Sequence, residues 1–180
     1  MATTDRRIFQ IMKEIVVILH NIRSLYNVGS IFRTADAAGI EKIYLGGITP
    51  GPIDRFGKYR PQLTKVSLGA EKYVAWEKIG STVKLIDKLK NPPAGGGYKI
   101  FAIEQSKKSI PYYCIRRSSD TIVNKFALVL GNEIKGLPAS ILKRADKILE
   151  IPMKGKKESL NVAVAFGVVV FFLSIKNKKF

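Results

Sequence analysis

The chain has 180 residues, 46% of them hydrophobic, enough to bury a sizeable core in one domain. A single cysteine, Cys114, excludes an internal disulfide framework, and with His20 the sole histidine a Cys- or His-rich metal centre is excluded as well. Against 14 Asp and Glu stand 31 Lys and Arg, a formal net charge of +17 that points to a polyanionic partner, nucleic acid ahead of anionic lipid.

The opening stretch MATTDRRIFQIMKEI carries Arg6 and Arg7 but lacks the basic, apolar, small-residue order of a secretory signal, so a reducing cytoplasm is the expected location. EIVVIL, over 14–19, reads as the first strand. A helix is expected over 28–38, with Ile31, Phe32 and Ala35 on one face and Gly39 as its stop. KIYLGG, over 42–47, is the second strand. The loop TPGPIDRFGKYRPQ follows, holding Arg55, Lys58 and Arg60, and leads to a short helix and a strand around 73–76. A helix over 81–90 places Val83, Ile86 and Leu89 on one side. YKIFAIEQ, FALVLGNE and KILEIPM supply three more strands, with a short helix near Ser140 between the last two.

The chain closes on a lysine-rich loop with Lys154, Lys156 and Lys157, then an apolar run. From 159 to 175 there are 17 uncharged residues, including Asn161 and Gly167, whereas a membrane-spanning helix needs about 20 apolar ones. The run therefore reads as a buried helix rather than an anchor, and no membrane partner is expected. Apolar strands alternating with helices imply one α/β domain over 1–180, a mostly parallel sheet with helices on both faces. Ligands in such sheets bind outside the carboxyl ends of the strands, which singles out the loops over 20–27, 131–137 and 152–161.

Within those loops, Gly131 and Gly136 permit sharp turns, and Glu133, at the end of a buried strand, needs a partner for its charge. Asn27 and Arg33 bracket the first helix; Arg33 is either a surface arginine whose stem packs on the core or a guanidinium aimed at a phosphate or carboxylate. Ser159 is either the N-cap of the last helix or a reactive group, and with His20 the one imidazole a Ser-His-Asp hydrolase is disfavoured. Gly95-Gly96-Gly97 precedes a strand and no G-x-G-x-x-G exists, so a dinucleotide or P-loop site fails.

In order along the chain, N-x-G-x-x-x-R-T-A-D, A-I-E-Q, L-G-N-E-x-x-G-L and I-P-M-x-G-x-x-x-S-L-N closely resemble the motifs of the SpoU–TrmH family of RNA ribose methyltransferases, within the SPOUT class. The resemblance runs from about Asn21 to the end of the last helix. It implies methyl transfer from S-adenosylmethionine to a ribose 2′-hydroxyl of tRNA or rRNA. It also implies a C-terminal deep trefoil knot, homodimerisation through the knotted region, and active sites drawing on both subunits. Carried over by motif, Arg33, Asn27, Glu133, Ser159 and Asn161 are the functional set, and Ile103, Gly131, Ile151 and Leu160 hold the cofactor. On that resemblance the chain is expected to be a near-minimal catalytic domain with no separate RNA-binding domain. RNA grip therefore falls to Arg6, Arg7, Arg55, Lys58, Arg60, Lys154, Lys156 and Lys157, with Phe56 or Tyr59 available for stacking on bases. The competing reading is an RNA-binding protein with a methyltransferase-like fold and no turnover.

Overall fold

A computed structural model describes residues 14–117 and 125–174; Arg6 and Arg7 lie outside the described residues. At its centre β1 (Glu14–His20) pairs with β2 (Lys42–Gly46) on one side and with β6 (Lys125–Leu130) on the other. β3 (Ala75–Ile79) extends the sheet beyond β2. β4 (Lys99–Ile103), β7 (Lys147–Glu150) and β5 (Ile110–Pro111) extend it beyond β6. The sheet is parallel throughout, in the order β3-β2-β1-β6-β4-β7-β5.

The unbroken apolar run of β1 is explained by burial on both faces. Ile15, Val17 and Leu19 turn into one core and Val16 and Ile18 into the other, the period-two alternation of a strand. Three helices cover the first face: α1 (Leu25–Ala37), α2 (Pro61–Ser67) and α5 (Val162–Ser174). They contribute Ile31, Phe32 and Ala35, then Leu63, then Phe166, Val169 and Val170. Helices α3 (Thr82–Lys90) and α4 (Ala139–Leu142) cover the second face with Ile86 and Ile141. Each of these side chains larger than alanine, fully buried, contributes on the order of 1.5–3 kcal/mol from removal of apolar surface from water. The sheet is therefore a rigid platform for the loops at its edge.

The final run is a helix as expected, but it is buried on one face only, through Phe166, Val169, Val170 and Leu173, and leaves Val164 and Phe171 exposed. Among the described residues no helix is long and apolar enough to cross a membrane. Other boundaries moved. α1 begins at Leu25 rather than at 28, because Ser24 Oγ accepts from Asn27 N at 3.2 Å and caps it, which draws Asn27 into its first turn. Gly39 ends that helix in the left-handed region, and Ile40 N closes back on Ala35 O at 2.9 Å. The strand expected over 73–76 sits at Ala75–Ile79 on the sheet edge, where its exposed Glu77 and Lys78 are the charged residues usual on an edge. β5 carried no sequence signal: it is two residues long and one of them is Pro111. Finally, β4, β6 and β7 stop at Ile103, Leu130 and Glu150, so the polar ends of AIEQ and LGNE and the IPM segment are released into loops.

Candidate active site

Because the strands run parallel, the carboxyl ends of neighbouring β1, β6, β4 and β7 open on one edge of the sheet. A cleft of about 500 Å³ lies there, within the usual range for small-molecule sites. Ile103, Gly131, Ile151 and Leu160 all line it, as do Asn27, Glu133, Ser159 and Asn161. Its apolar walls are completed by Leu130, Leu149, Met153 and Ala165.

The loop over 131–137 is drawn tight by its own chemistry. A Cβ at Gly131 would stand 2.6 Å from Gly136 C and 2.7 Å from Leu137 N, so only glycine admits the close return of the chain. Asn132 Oδ1 accepts from Ile134 N at 3.0 Å and from Lys135 N at 2.9 Å, folding the turn. Its Nδ2 donates to Asn21 O at 2.8 Å and so ties the turn to the end of β1.

Glu133 is thereby aimed at the start of α1. Its Oε1 accepts from Ser24 N at 3.2 Å and from Asn27 Nδ2 at 3.0 Å, and its Oε2 from Arg23 N at 3.2 Å. Asn27 Oδ1 in turn accepts from Asn161 Nδ2 at 3.0 Å, while Asn161 Oδ1 accepts from Ala163 N at 2.9 Å. Asn161, not Ser159, thus caps α5, and Ser159 stands free of that task on the exposed cleft rim. The chain Glu133–Asn27–Asn161 joins three segments far apart in sequence. Partial burial alone would raise the Glu133 pKa, but its own backbone N–H, Asn27 Nδ2 and the N–H groups of Arg23 and Ser24 outweigh it and hold the carboxyl below its ordinary value. An anion at the N-terminus of α1 is also favoured by the helix dipole. Glu133 is consequently an anchored acceptor and a weak base.

Arg33 does not join this group. It lies six residues beyond Asn27, roughly 9 Å along α1 and about 120° around it, and is exposed rather than part of the cleft lining. Thr34 beside it faces Gly167 of α5, which rests against α1. The outer surface of this helix pair carries apolar side chains open to solvent: Tyr26 is 55% exposed, Val164 52% and Phe171 41%.

The basic positions fall on two outlying surfaces. Arg55 and Lys58 are exposed on a small hairpin closed by pairing of Ile53 with Tyr59, and Asp54 Oδ1 fixes its turn by accepting from Phe56 N and Lys58 N. The Arg55 guanidinium sits 4.7 Å from the centre of the exposed Phe56 ring. Arg60 is half-buried at the base of that hairpin. Lys154, Lys156 and Lys157 are exposed, and Lys157 lines a smaller depression that shares Glu150, Ile151 and Met153 with the main cleft. His20 is held by Thr82 Oγ1 at 2.9 Å and Asn21 Nδ2 at 3.1 Å, with its pKa lowered by burial, and is not part of the cleft lining. Sequence reasoning passed over Asn132, Glu104 and Glu150, all at or just past strand ends; that position was the signal available for them.

Comparison with known proteins decides the family. The model of the SpoU rRNA methylase family matches residues 14–171. The chain belongs to that family. It is 31% identical over 159 residues to a tRNA (guanosine(18)-2′-O)-methyltransferase of Aquifex aeolicus, covering 88% of this chain and 68% of that protein. It is 30% identical to a 23S rRNA (guanosine(2553)-2′-O)-methyltransferase of Bacillus subtilis, covering 88% of this chain and 57% of the relative. The AdoMet-bound rRNA methyltransferase of Sinorhizobium meliloti superposes with a TM-score of 0.74 at 29% identity, over 89% of this chain and 55% of that one. The chain thus spans little more than half the length of the two rRNA enzymes.

Proposed function

We propose that the chain is an S-adenosylmethionine-dependent methyltransferase acting on a ribose 2′-hydroxyl of tRNA or rRNA, working as a homodimer in the cytoplasm. The observation that carries this reading is the Glu133–Asn27–Asn161 hydrogen-bond chain in the lining of a cleft whose other wall includes Ile103, Gly131, Ile151 and Leu160. Apolar walls with strand-end backbone groups between them suit an adenosine moiety, and the donor supplies an activated methyl, so the protein needs no nucleophile of its own.

What the chain must supply is position and charge for a sugar hydroxyl that loses its proton as it reacts. Glu133, already engaged by three donors, orients Asn27 rather than accepting that proton. Asn27 holds Asn161, and Ser159 remains on the rim to meet the incoming nucleotide. A guanidinium stabilises developing alkoxide charge and fixes a phosphate, and it stays protonated throughout. Among the described residues lining the cleft there is no such cation. Arg33 is exposed on α1 next to Thr34, which meets Gly167 of α5, and the same two helices expose Tyr26, Val164 and Phe171; together these support a symmetric dimer in which each Arg33 reaches the cleft of the other copy. The trefoil knot belongs to the same proposal and is supported by the match to the SpoU family over residues 14–171. RNA is gripped by the hairpin with Arg55, Phe56 and Lys58, by Arg60, by the Lys154–Lys157 loop, and by Arg6 and Arg7.

The test incubates purified protein with labelled S-adenosylmethionine and undermodified tRNA or rRNA, then maps methylated riboses by resistance to alkaline cleavage. Transfer to one pool is expected. Cofactor binding with no transfer to either pool would replace this reading with an RNA-binding role. The dimer is tested by mixing Arg33→Ala and Asn161→Ala proteins, each inactive alone. Mixed dimers should restore about a quarter of wild-type activity, since half the dimers then hold one intact composite site. No recovery on mixing would confine Arg33 to its own subunit.

A further inference from the structure

In a chain of net charge +17 the cleft is acidic: Glu104, Glu133 and Glu150 line it, and among the described lining residues there is no Lys, Arg or His. Glu133 is accounted for by its three donors. Glu104 and Glu150 are not used by the reaction described above. Glu104 follows β4, with Oε2 accepting from Leu137 N at 2.7 Å and Oε1 from Gln105 N at 3.0 Å, and a Cβ at Gly136 would collide with it. Glu150 ends β7, the strand paired with β4, and its Oε2 accepts from Ser109 Oγ at 2.5 Å. Both carboxylates are therefore fixed at neighbouring strand ends on one cleft; the Glu150 bond needs a single acceptor oxygen, which an amide also provides, whereas Glu104 accepts through both oxygens and an amide there gives up one of its two bonds.

We propose that Glu104 and Glu150 make the cleft select the cationic methyl donor over its neutral thioether product. The inference rests on the methyl-transfer reading. When the methyl moves to the ribose oxygen, the electron pair of the broken carbon–sulfur bond stays on sulfur and the hydroxyl proton passes to solvent. The donor's positive charge at sulfur is then gone, and with it the attraction to the two carboxylates. Turnover itself weakens retention of the spent donor.

Calorimetric titration with S-adenosylmethionine and with S-adenosylhomocysteine, which differ by the methyl and that charge, tests this on wild type, Glu104→Gln and Glu150→Gln. Glu150→Gln should weaken the methionine form roughly three- to tenfold, the effect of one charge several ångströms away at intermediate dielectric, and leave the homocysteine form within about twofold. Glu104→Gln, which also gives up a backbone hydrogen bond, should weaken the methionine form more than the homocysteine form by a similar factor. Wild type should lose part of its preference between about 0.05 and 0.5 M salt, which needs no variant to fold. Equal weakening of both ligands, or a wild-type preference absent at low salt, overturns the inference. Binding of neither ligand to wild type would instead overturn the methyl-transfer reading.

Discussion

Replacing Glu133 with Gln isolates the acceptor that organises the site. The amide keeps one oxygen but turns an NH₂ toward a backbone N–H, so of the bonds from Arg23 N, Ser24 N and Asn27 Nδ2 at least one is lost. These groups are exposed, so water replaces much of the interaction. One to two hydrogen bonds at about 0.5–1 kcal/mol each, together with a weakened anion at the start of α1, give a cost of about 1–2 kcal/mol. For a chain of this size that lowers Tm by roughly 2–8 °C. The functional effect is larger, because Asn27 then no longer holds Asn161 at 3.0 Å; a small misplacement of a positioning group costs about 100-fold in turnover. Thermal unfolding by circular dichroism and methyl transfer to RNA measure the two effects. The pH dependence has a definite sign. Glu133 has a depressed folded-state pKa, so its stabilisation is present above the ordinary carboxylate value and is lost as pH falls through the depressed value. The gap in Tm between wild type and Glu133→Gln should be full at pH 7 and shrink in acid. A variant with unchanged Tm and unchanged turnover would refute the assignment of Glu133 as the anchor of the site.

Two more expectations concern parts remote from that anchor. Phe166→Ala empties a fully buried position of α5 against the sheet and should cost about 3–5 kcal/mol, read as a lower denaturation midpoint in urea with an unchanged slope. Replacing Lys154, Lys156 and Lys157 together with Ala should weaken RNA binding, flatten the dependence of log affinity on log salt, and leave S-adenosylmethionine affinity within about twofold; an unchanged salt slope would remove that loop from the RNA surface.

The platform was legible because burial on both faces leaves a simple mark. A β-branched run such as 15–19 without a polar residue is what a strand buried on both faces of a parallel sheet requires. The start of α1 was less legible. Leu25, Tyr26 and Asn27 look like loop, and what makes them helix is a hydroxyl cap from Ser24 reinforced by a carboxylate from residue 133, a tertiary cause invisible in a local window. Ser159 and Asn161 show the same limit: both are good caps, and the bond to Ala163 N decides between them. Motif resemblance grouped Asn27, Glu133, Ser159 and Asn161, and all four line one cleft. It could not say that Arg33, in the same motif as Asn27, faces away from the cleft of its own chain, since that follows from helical rotation and the seat of α5.

The bond between Asn27 and Asn161 spans 134 residues. Asn161 is therefore made after most of the polypeptide, and the contact that steadies Asn27 can close only once the segment leading into α5 has been synthesised. A polypeptide cut short of it would also lack Phe166, Val169 and Val170 on the first face of the sheet, so one late segment completes both the core and the polar network.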